Sequence, residues 1–214
     1  MKKILYIHGL GGSGDGRVAT LLREHLGSEY EVIAPEIPVR PKEALEFICN
    51  LLRNNRYDLV AGSSLGAFYL IASGHSPKKF VINPAIHAAD YIEKYIGKGP
   101  QKFHSARENG QEEYIIDDEF INDLRDMECI QMVDDEEYWV SRCAVSPYDE
   151  LFGDENAKLC KELYLDHTIE IHSSHRVEDD VITNDIIPKM KDFIDEDIFS
   201  GPIMIGPYVD FDDE

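Results

Sequence analysis

The stretch that decides the fold is "LVAGSSLGAF", residues 59–68. Leu59 and Val60 read as the end of a buried strand, and an apolar run from Ala67 to Ala72 follows almost at once. Between them Gly62, Ser64 and Gly66 form the pattern G-x-S-x-G. A strand that turns directly into a helix needs small residues around the corner, because side chains there collide with the neighbouring strand and helix. The apex residue is held in a strained backbone that exposes its side chain, the geometry of a nucleophile elbow. A small-residue corner with no chemistry would use the same glycines. The strand before it and the helix after it favour an exposed hydroxyl on Ser64, with Ser63 at the variable position.

Working outward, short β-rich runs alternate with helical periodicity. Strands are expected at Ile4–Ile7, Val32–Ala34, Leu59–Ala61, Phe80–Asn83, Tyr138–Val145 and Thr168–Ile171. Between them Val18, Leu21, Leu22 and Leu26 recur at helical spacing, as do Ala44, Leu45, Ile48, Leu51 and Leu52 after Pro41. Further helices are expected at Leu65–Ser73, around Ala157–Leu165 and across Ile186–Ile194. Unbroken apolar strands alternating with helices predict an α/β fold, a mostly parallel sheet covered on both faces. The rhythm breaks over residues 85–137, a cap-like insertion over one end of the sheet rather than an element of it. Residues 1–199 then form one domain, with 200–214 an acidic tail.

Composition limits the partners. At 214 residues with 43% hydrophobic content the chain can bury one sizeable core. Its formal charge of −21 disfavours nucleic acid and anionic membrane surfaces, both of which repel it. No apolar run approaches the roughly 20 residues of a membrane span. The opening "MKKILYIHG" reads as a first core strand rather than a secretory leader, so a cytoplasmic location is expected. Cys49, Cys129, Cys143 and Cys160 are scattered and predict free thiols; neither they nor the histidines show metal-ligand spacing. Oligomeric state is left open. Residues 105–137 hold thirteen Asp or Glu against two Arg. If that acidity reaches the ligand, neutral or cationic substrates are favoured.

A second glycine cluster competes for attention. "GLGGSG", Gly9 to Gly14, matches G-x-G-x-x-G between a strand and a helix, and Glu36 stands 22 residues beyond, where a dinucleotide site keeps its ribose-binding acid. Against this reading, His8 occupies a position normally apolar, and Asp15 lies where a helix N-terminus would receive pyrophosphate. If Ser64 is a nucleophile, the same loop gains another task. The N–H of Leu65 opens the helix after the elbow, and the N–H of Leu10, with Gly11 next in order, can supply the second donor of an oxyanion hole. His8 is then a structural hydrogen-bonder.

A neutral serine needs a base and an acid to orient it, and on this fold they follow in the order Ser, Asp or Glu, His. Asp149 lies past the strand "YWVSRCAV", with Glu150 and Asp154 as rivals. His175 lies in the loop beyond "TIEIH", whereas His172 ends the strand itself and is expected to pack at the sheet edge. Such a constellation needs no metal or organic cofactor.

"LYIHGLGGS", "GSSLGAFY", "VINPAI", "YDEL" and "SSH" together resemble the YqiA-type esterases of the α/β-hydrolase superfamily. The resemblance spans residues 4–86 and 138–196. It implies an α/β-hydrolase fold, Ser64 as nucleophile, Asp149 as acid, His175 as base, and a small carboxylic ester or thioester as substrate. Leu10 stands where that family usually has Phe, Pro-Tyr-Asp replaces its Gly-Asp, and residues 87–137 do not align with it.

Overall fold

A computed structural model of the chain describes residues 1–74, 78–128, 133 and 135–198. The 200–214 tail and Cys129 lie outside them. Among the described residues six strands form one all-parallel sheet: β1 (Lys2–Ile7), β2 (Tyr30–Ile33), β3 (Leu59–Ser63), β4 (Lys79–Ile82), β7 (Ser141–Val145) and β8 (Thr168–Glu170). Their order is β2-β1-β3-β4-β7-β8.

Strand periodicity sorts the core onto two faces. Ile4 and Tyr6 of β1, Leu59 and Ala61 of β3 and Phe80 and Ile82 of β4 pack with α1 (Arg17–Leu26) and α9 (Ile187–Asp195), through Leu22, Leu26, Met190 and Phe193. The alternate residues Leu5, Ile7 and Val60 meet α2 (Pro41–Asn54) and α3 (Leu65–Ala72). Val81, Cys143 and Val145 meet α3 and α7 (Gly153–Tyr164). Helix α3 lies under this layer with every residue buried, which explains why its sequence is apolar all round. One charge enters the core at the start of β4. Lys79 is wholly buried, donates to the carbonyls of Leu70 and Gly74, and pairs with Glu137 at 2.7 Å, so its ammonium is compensated.

The winding reverses between β1 and β3. β2 follows β1 on one side, and every later strand adds on the other. In an open parallel sheet the crevice at such a reversal, beyond the C-terminal strand ends, is where ligands bind. The loops leaving β1 and β3 are "HGLGGSG" and the Ser64 corner.

Two expectations are corrected. The strand expected over Tyr138–Val145 begins only at Ser141. Asp135–Trp139 forms a helical turn (α6), with the Tyr138 ring stacked on His167 at 4.1 Å. The insertion also carries more ordered structure than its helical signal at Tyr91, Tyr95 and Ile96 showed. A helix, α4 (Ala88–Tyr91), runs into a π-helical turn at Ile92–Ile96. An antiparallel hairpin of β5 (Gly99–Lys102) and β6 (Glu113–Ile116) follows, separate from the main sheet, and then α5 (Asp118–Glu128). The last helix is longer than expected, entered through α8 (Asp179–Val181) and a second π-helical turn, Ile182–Ile186. Cys49, Cys143 and Cys160 are free thiols.

Candidate active site

The corner between β3 and α3 is built by exclusion. A Cβ at Gly66 would stand 2.3 Å from the carbonyl oxygen of Ile7 and 2.6 Å from that of His8, and one at Gly62 would meet the backbone of Gly66 and Ala67 at 2.9 Å. No side chain fits at Gly66 without moving a strand. Ser64 is left at φ 52°, ψ −119°, a conformation that costs a non-glycine residue of order 1–3 kcal/mol. Strain of this kind persists where the surroundings over-determine it, and here it turns the hydroxyl out over the strand ends.

Over Ser64 comes the loop after β8. His175 Nε2 is 3.1 Å from Ser64 Oγ, and His175 Nδ1 is 2.8 Å from Asp149 Oδ2. An ionised carboxylate can only accept, so Nδ1 carries the proton and Nε2 is free to accept from the serine. Asp149 is 3% exposed and fixed from its other oxygen, where Oδ1 accepts the N–H groups of Leu151 (2.8 Å) and Phe152 (2.9 Å). The Phe152 ring meets the imidazole edge-on at 4.4 Å. The rivals are engaged elsewhere: Glu150 accepts the backbone N–H of His175 at 2.8 Å, and Asp154 pairs with Lys158 on the surface. His172 is exposed and lies against the Tyr148 ring.

The two loops that carry Asp149 and His175 share a support that sequence reading passed over. Asn83, buried at the end of β4 with φ 42°, accepts the Ser146 N–H at 2.8 Å through Oδ1. Its Nδ2 reaches the carbonyls of Ser174 and His175 at 3.4 and 3.5 Å. The "NPA" of the resemblance marked the position but not this task. Within the second loop, the Ser173 hydroxyl donates to Glu178, whose carboxylate also accepts the Ser174 N–H at 3.2 Å. These bonds hold the Glu178 pKa down to about 2.

Leu65 and Leu10 both line the cavity beside Ser64, Leu65 at the start of α3 and Leu10 in the loop after β1. His8 has both ring nitrogens committed. Nδ1 donates to the Gly9 carbonyl at 2.9 Å, and Nε2 accepts the Ile37 N–H at 3.1 Å. Burial lowers its pKa to about 4, so it is a neutral bracket for this loop. The residues of the dinucleotide alternative are likewise occupied: Glu36 pairs at 3.0 Å with the largely buried Arg107, which also donates to the carbonyls of Ile37 and Gly12, and Asp15 pairs with Arg23 at 3.0 Å.

The cavity has a volume of about 960 Å³. From the insertion it receives Ala88, Tyr91, Ile92, Tyr95, Ile96 and Tyr114, together with Gln101, Lys102, His104 and Ser105. Among the described residues, none of the acidic ones of 85–137 lines the cavity. Several point instead to basic partners: Asp117 to Arg40, Asp123 to Lys42, Asp118 to Lys98, and Glu93 to Lys98 and Arg125. Among the described residues, then, the insertion's acidity does not reach the cavity.

A family model of an uncharacterised protein family, UPF0227, matches residues 3–182. The chain belongs to that family. UPF0227 is the YqiA-like family, as the motifs around Gly9 and Ser64 had implied. Among curated proteins none matches the sequence. Solved structures show the fold. Est1E from Butyrivibrio proteoclasticus, with ferulic acid bound, is similar at a TM-score of 0.64 and 14% identity over 92% of this chain and 90% of its own. The ydeN gene product from B. subtilis gives 0.63 and 11% over 92% and 100%. A monoacylglycerol lipase from Paleococcus ferrophilus gives 0.60 and 13% over 90% and 93%. The fold of this UPF0227 member is thus that of the α/β hydrolases.

Proposed function

We propose that the protein is a serine hydrolase of the cytoplasm that cleaves a small carboxylic ester or thioester. The observation that carries this reading is the unbroken chain of contacts from Asp149 Oδ2 through His175 to Ser64 Oγ, at 2.8 and 3.1 Å. His175 takes the Ser64 proton as Oγ bonds to the acyl carbon. The carbonyl oxygen becomes an oxyanion facing the N–H groups of Leu65 and Leu10, a form of stabilisation worth about 3–4 kcal/mol per donor. The intermediate collapses as the bond to the leaving group breaks, and that group departs with the proton from His175. Water, deprotonated by the same imidazole, then releases the acid and restores Ser64. Asp149 fixes the tautomer that lets Nε2 act as base and stabilises the imidazolium while it exists.

No cofactor enters these steps, because attack, proton transfer and charge stabilisation are all supplied by side chains and backbone. The Tyr91–Phe152 stack, at 4.6 Å, and the neighbouring Ala88 and Ile92 offer an apolar surface for the substrate. The deciding experiment is labelling with a fluorophosphonate, followed by mass-spectrometric mapping. Modification of Ser64 is expected, with loss of labelling and of esterase turnover in Ser64→Ala while the melting temperature stays within a few degrees. Full turnover in Ser64→Ala would refute the reading.

A further inference from the structure

The loop after β1 begins with a tight turn. The Gly12 N–H donates to the Gly9 carbonyl at 3.1 Å, which closes four residues with Leu10 and Gly11 at the centre. Gly11 has φ 71° and Leu10 stays at negative φ, the pattern of a type II turn, which demands glycine at the second central place. The closing bond uses the Gly12 N–H and leaves that of Leu10 to point elsewhere. This turn abuts the nucleophile: a Cβ on Gly9 would stand 3.2 Å from Ser64 Cβ and 3.7 Å from Ser64 Oγ.

A peptide unit is planar and trans, so its N–H points away from its C=O. Whatever holds the Gly9 carbonyl therefore aims the Leu10 N–H. Both the Gly12 N–H and His8 Nδ1 donate to that carbonyl, His8 at 2.9 Å. Each of these donors is set in turn by Arg107 of the insertion. Its Nη1 donates to the Gly12 carbonyl at 3.3 Å, and its Nη2 to the Ile37 carbonyl at 2.9 Å, while the Ile37 N–H donates to His8 Nε2 at 3.1 Å. One guanidinium thus closes a ring of His8, Ile37, Arg107 and Gly12 around the Gly9 carbonyl. The fork is itself held. It is largely buried, pairs with Glu36 at 3.0 Å and lies 4.9 Å from the centre of the Phe103 ring. His104, three residues earlier, adds its N–H to the Gly11 carbonyl at 2.7 Å. A planar guanidinium spans two carbonyls in fixed geometry, which an ammonium on a flexible stem does not.

We propose that Arg107 is a positioning residue for the reaction, holding the turn that aims the Leu10 N–H at the oxyanion. This deepens the hydrolase reading and rests on it. Full negative charge reaches the carbonyl oxygen only as the tetrahedral species forms, so a misplaced donor costs rate rather than substrate binding. The same donors serve formation and breakdown of the acyl-enzyme, so both steps slow together and KM stays nearly constant.

The test uses 4-nitrophenyl butyrate as substrate and an alkyl trifluoromethyl ketone, which adds to a serine hydroxyl as a tetrahedral oxyanion, as inhibitor. Arg107→Ala should lower kcat by about tenfold or more with KM within about twofold of the wild type. Its affinity for the ketone should fall by a similar factor, because the adduct needs the same donor. Arg107→Lys, which keeps a charge beside Glu36, should retain more of both; if Arg107→Ala does not fold, the lysine variant against the wild type gives the same comparison. Arg40→Ala is the control. It removes the bidentate Arg40–Asp117 pair, with both bonds at 2.7 Å, that ties the insertion down elsewhere, and should leave kcat and ketone affinity within about twofold. Unmoved kcat and ketone affinity in the Arg107 variants, a loss carried by KM alone, or an equal loss in Arg40→Ala would overturn the positioning role, while wild-type turnover upholds the hydrolase reading. No turnover by the wild type, together with no fluorophosphonate on Ser64, would overturn both.

Discussion

The corner at residues 62–66 and the insertion at residues 85–137 reach the same cavity under opposite constraints. At the corner each position is dictated by backbone. Gly66 has the carbonyls of Ile7 and His8 against it, Gly62 faces the first turn of α3, and Ser64 is pushed to positive φ between them. The insertion is held by side chains: ion pairs such as Arg40–Asp117 at 2.7 Å, the Phe103–Tyr114 contact at 4.8 Å, and the aromatic row from Tyr91 to Phe152. Backbone constraints admit almost no substitutes, whereas packed side chains on a surface segment admit many. On the proposed reading the corner would fix where reaction occurs, and the insertion what is brought there.

The sharpest way to break this contrast is to add one carbon at the corner. Alanine in place of glycine usually stabilises a helix by up to about 1 kcal/mol. Here Gly66→Ala forces a Cβ to 2.3 Å from a strand carbonyl, and a loss of about 3 kcal/mol or more is expected, seen as a fall in melting temperature of roughly 10 °C. An unchanged melting temperature would show that the corner can relax and that the contrast is overstated.

A smaller effect comes from His8, the bracket beside the corner. The unfolded chain takes up a proton at this residue near pH 6.5, and the folded chain only near pH 4. Between those values the unfolded state binds more protons, so stability is intact above pH 6.5 and falls as pH drops towards 4, by up to about 3 kcal/mol. Glutamine can donate and accept as His8 does but does not titrate. Denaturant unfolding of the wild type and His8→Gln at pH 7 and pH 4.5 should show the wild type losing more; parallel losses would remove His8 from the account.

The insertion should give the smallest change in stability. Ile96 is 39% exposed at the cavity. Ile96→Ala is expected to move the melting temperature by no more than about 2 °C and to shift preference between short and longer acyl esters by about threefold. A large fall in stability with no change in preference would make the insertion a structural brace instead.

The same division explains what could be read from sequence. All six strands of the main sheet were visible as short apolar runs, most clearly the central β3 and β4, which are buried on both faces and have little room for polar residues. Ser64, His175 and Asp149 were nameable from a motif and chain order, and the structure brings their side chains into hydrogen-bonding distance. The hairpin β5–β6 was not visible. Gly99-Pro100-Gln101-Lys102 carries no strand pattern, and the alternation of Tyr114 and Ile116 is short and set among acids. Tyr138 and Trp139 misled because aromatic residues imitate a strand, whereas here Tyr138 stacks on His167 and Trp139 meets both rings edge-on. Asn83 and Arg107 act through bonds to distant carbonyls, which leave no periodic trace. Asn83 was readable only as part of a motif, and Arg107 as one base in an acidic run.

Asn83 has a further consequence. Asp149 and His175 sit on separate loops 26 residues apart, yet both loops are bonded to the same buried amide. The loops are also tied directly to each other, through the His175 N–H on Glu150 and the Ser146 hydroxyl on the Ser173 carbonyl. Should the end of β4 loosen, both loops would lose a shared support in one event.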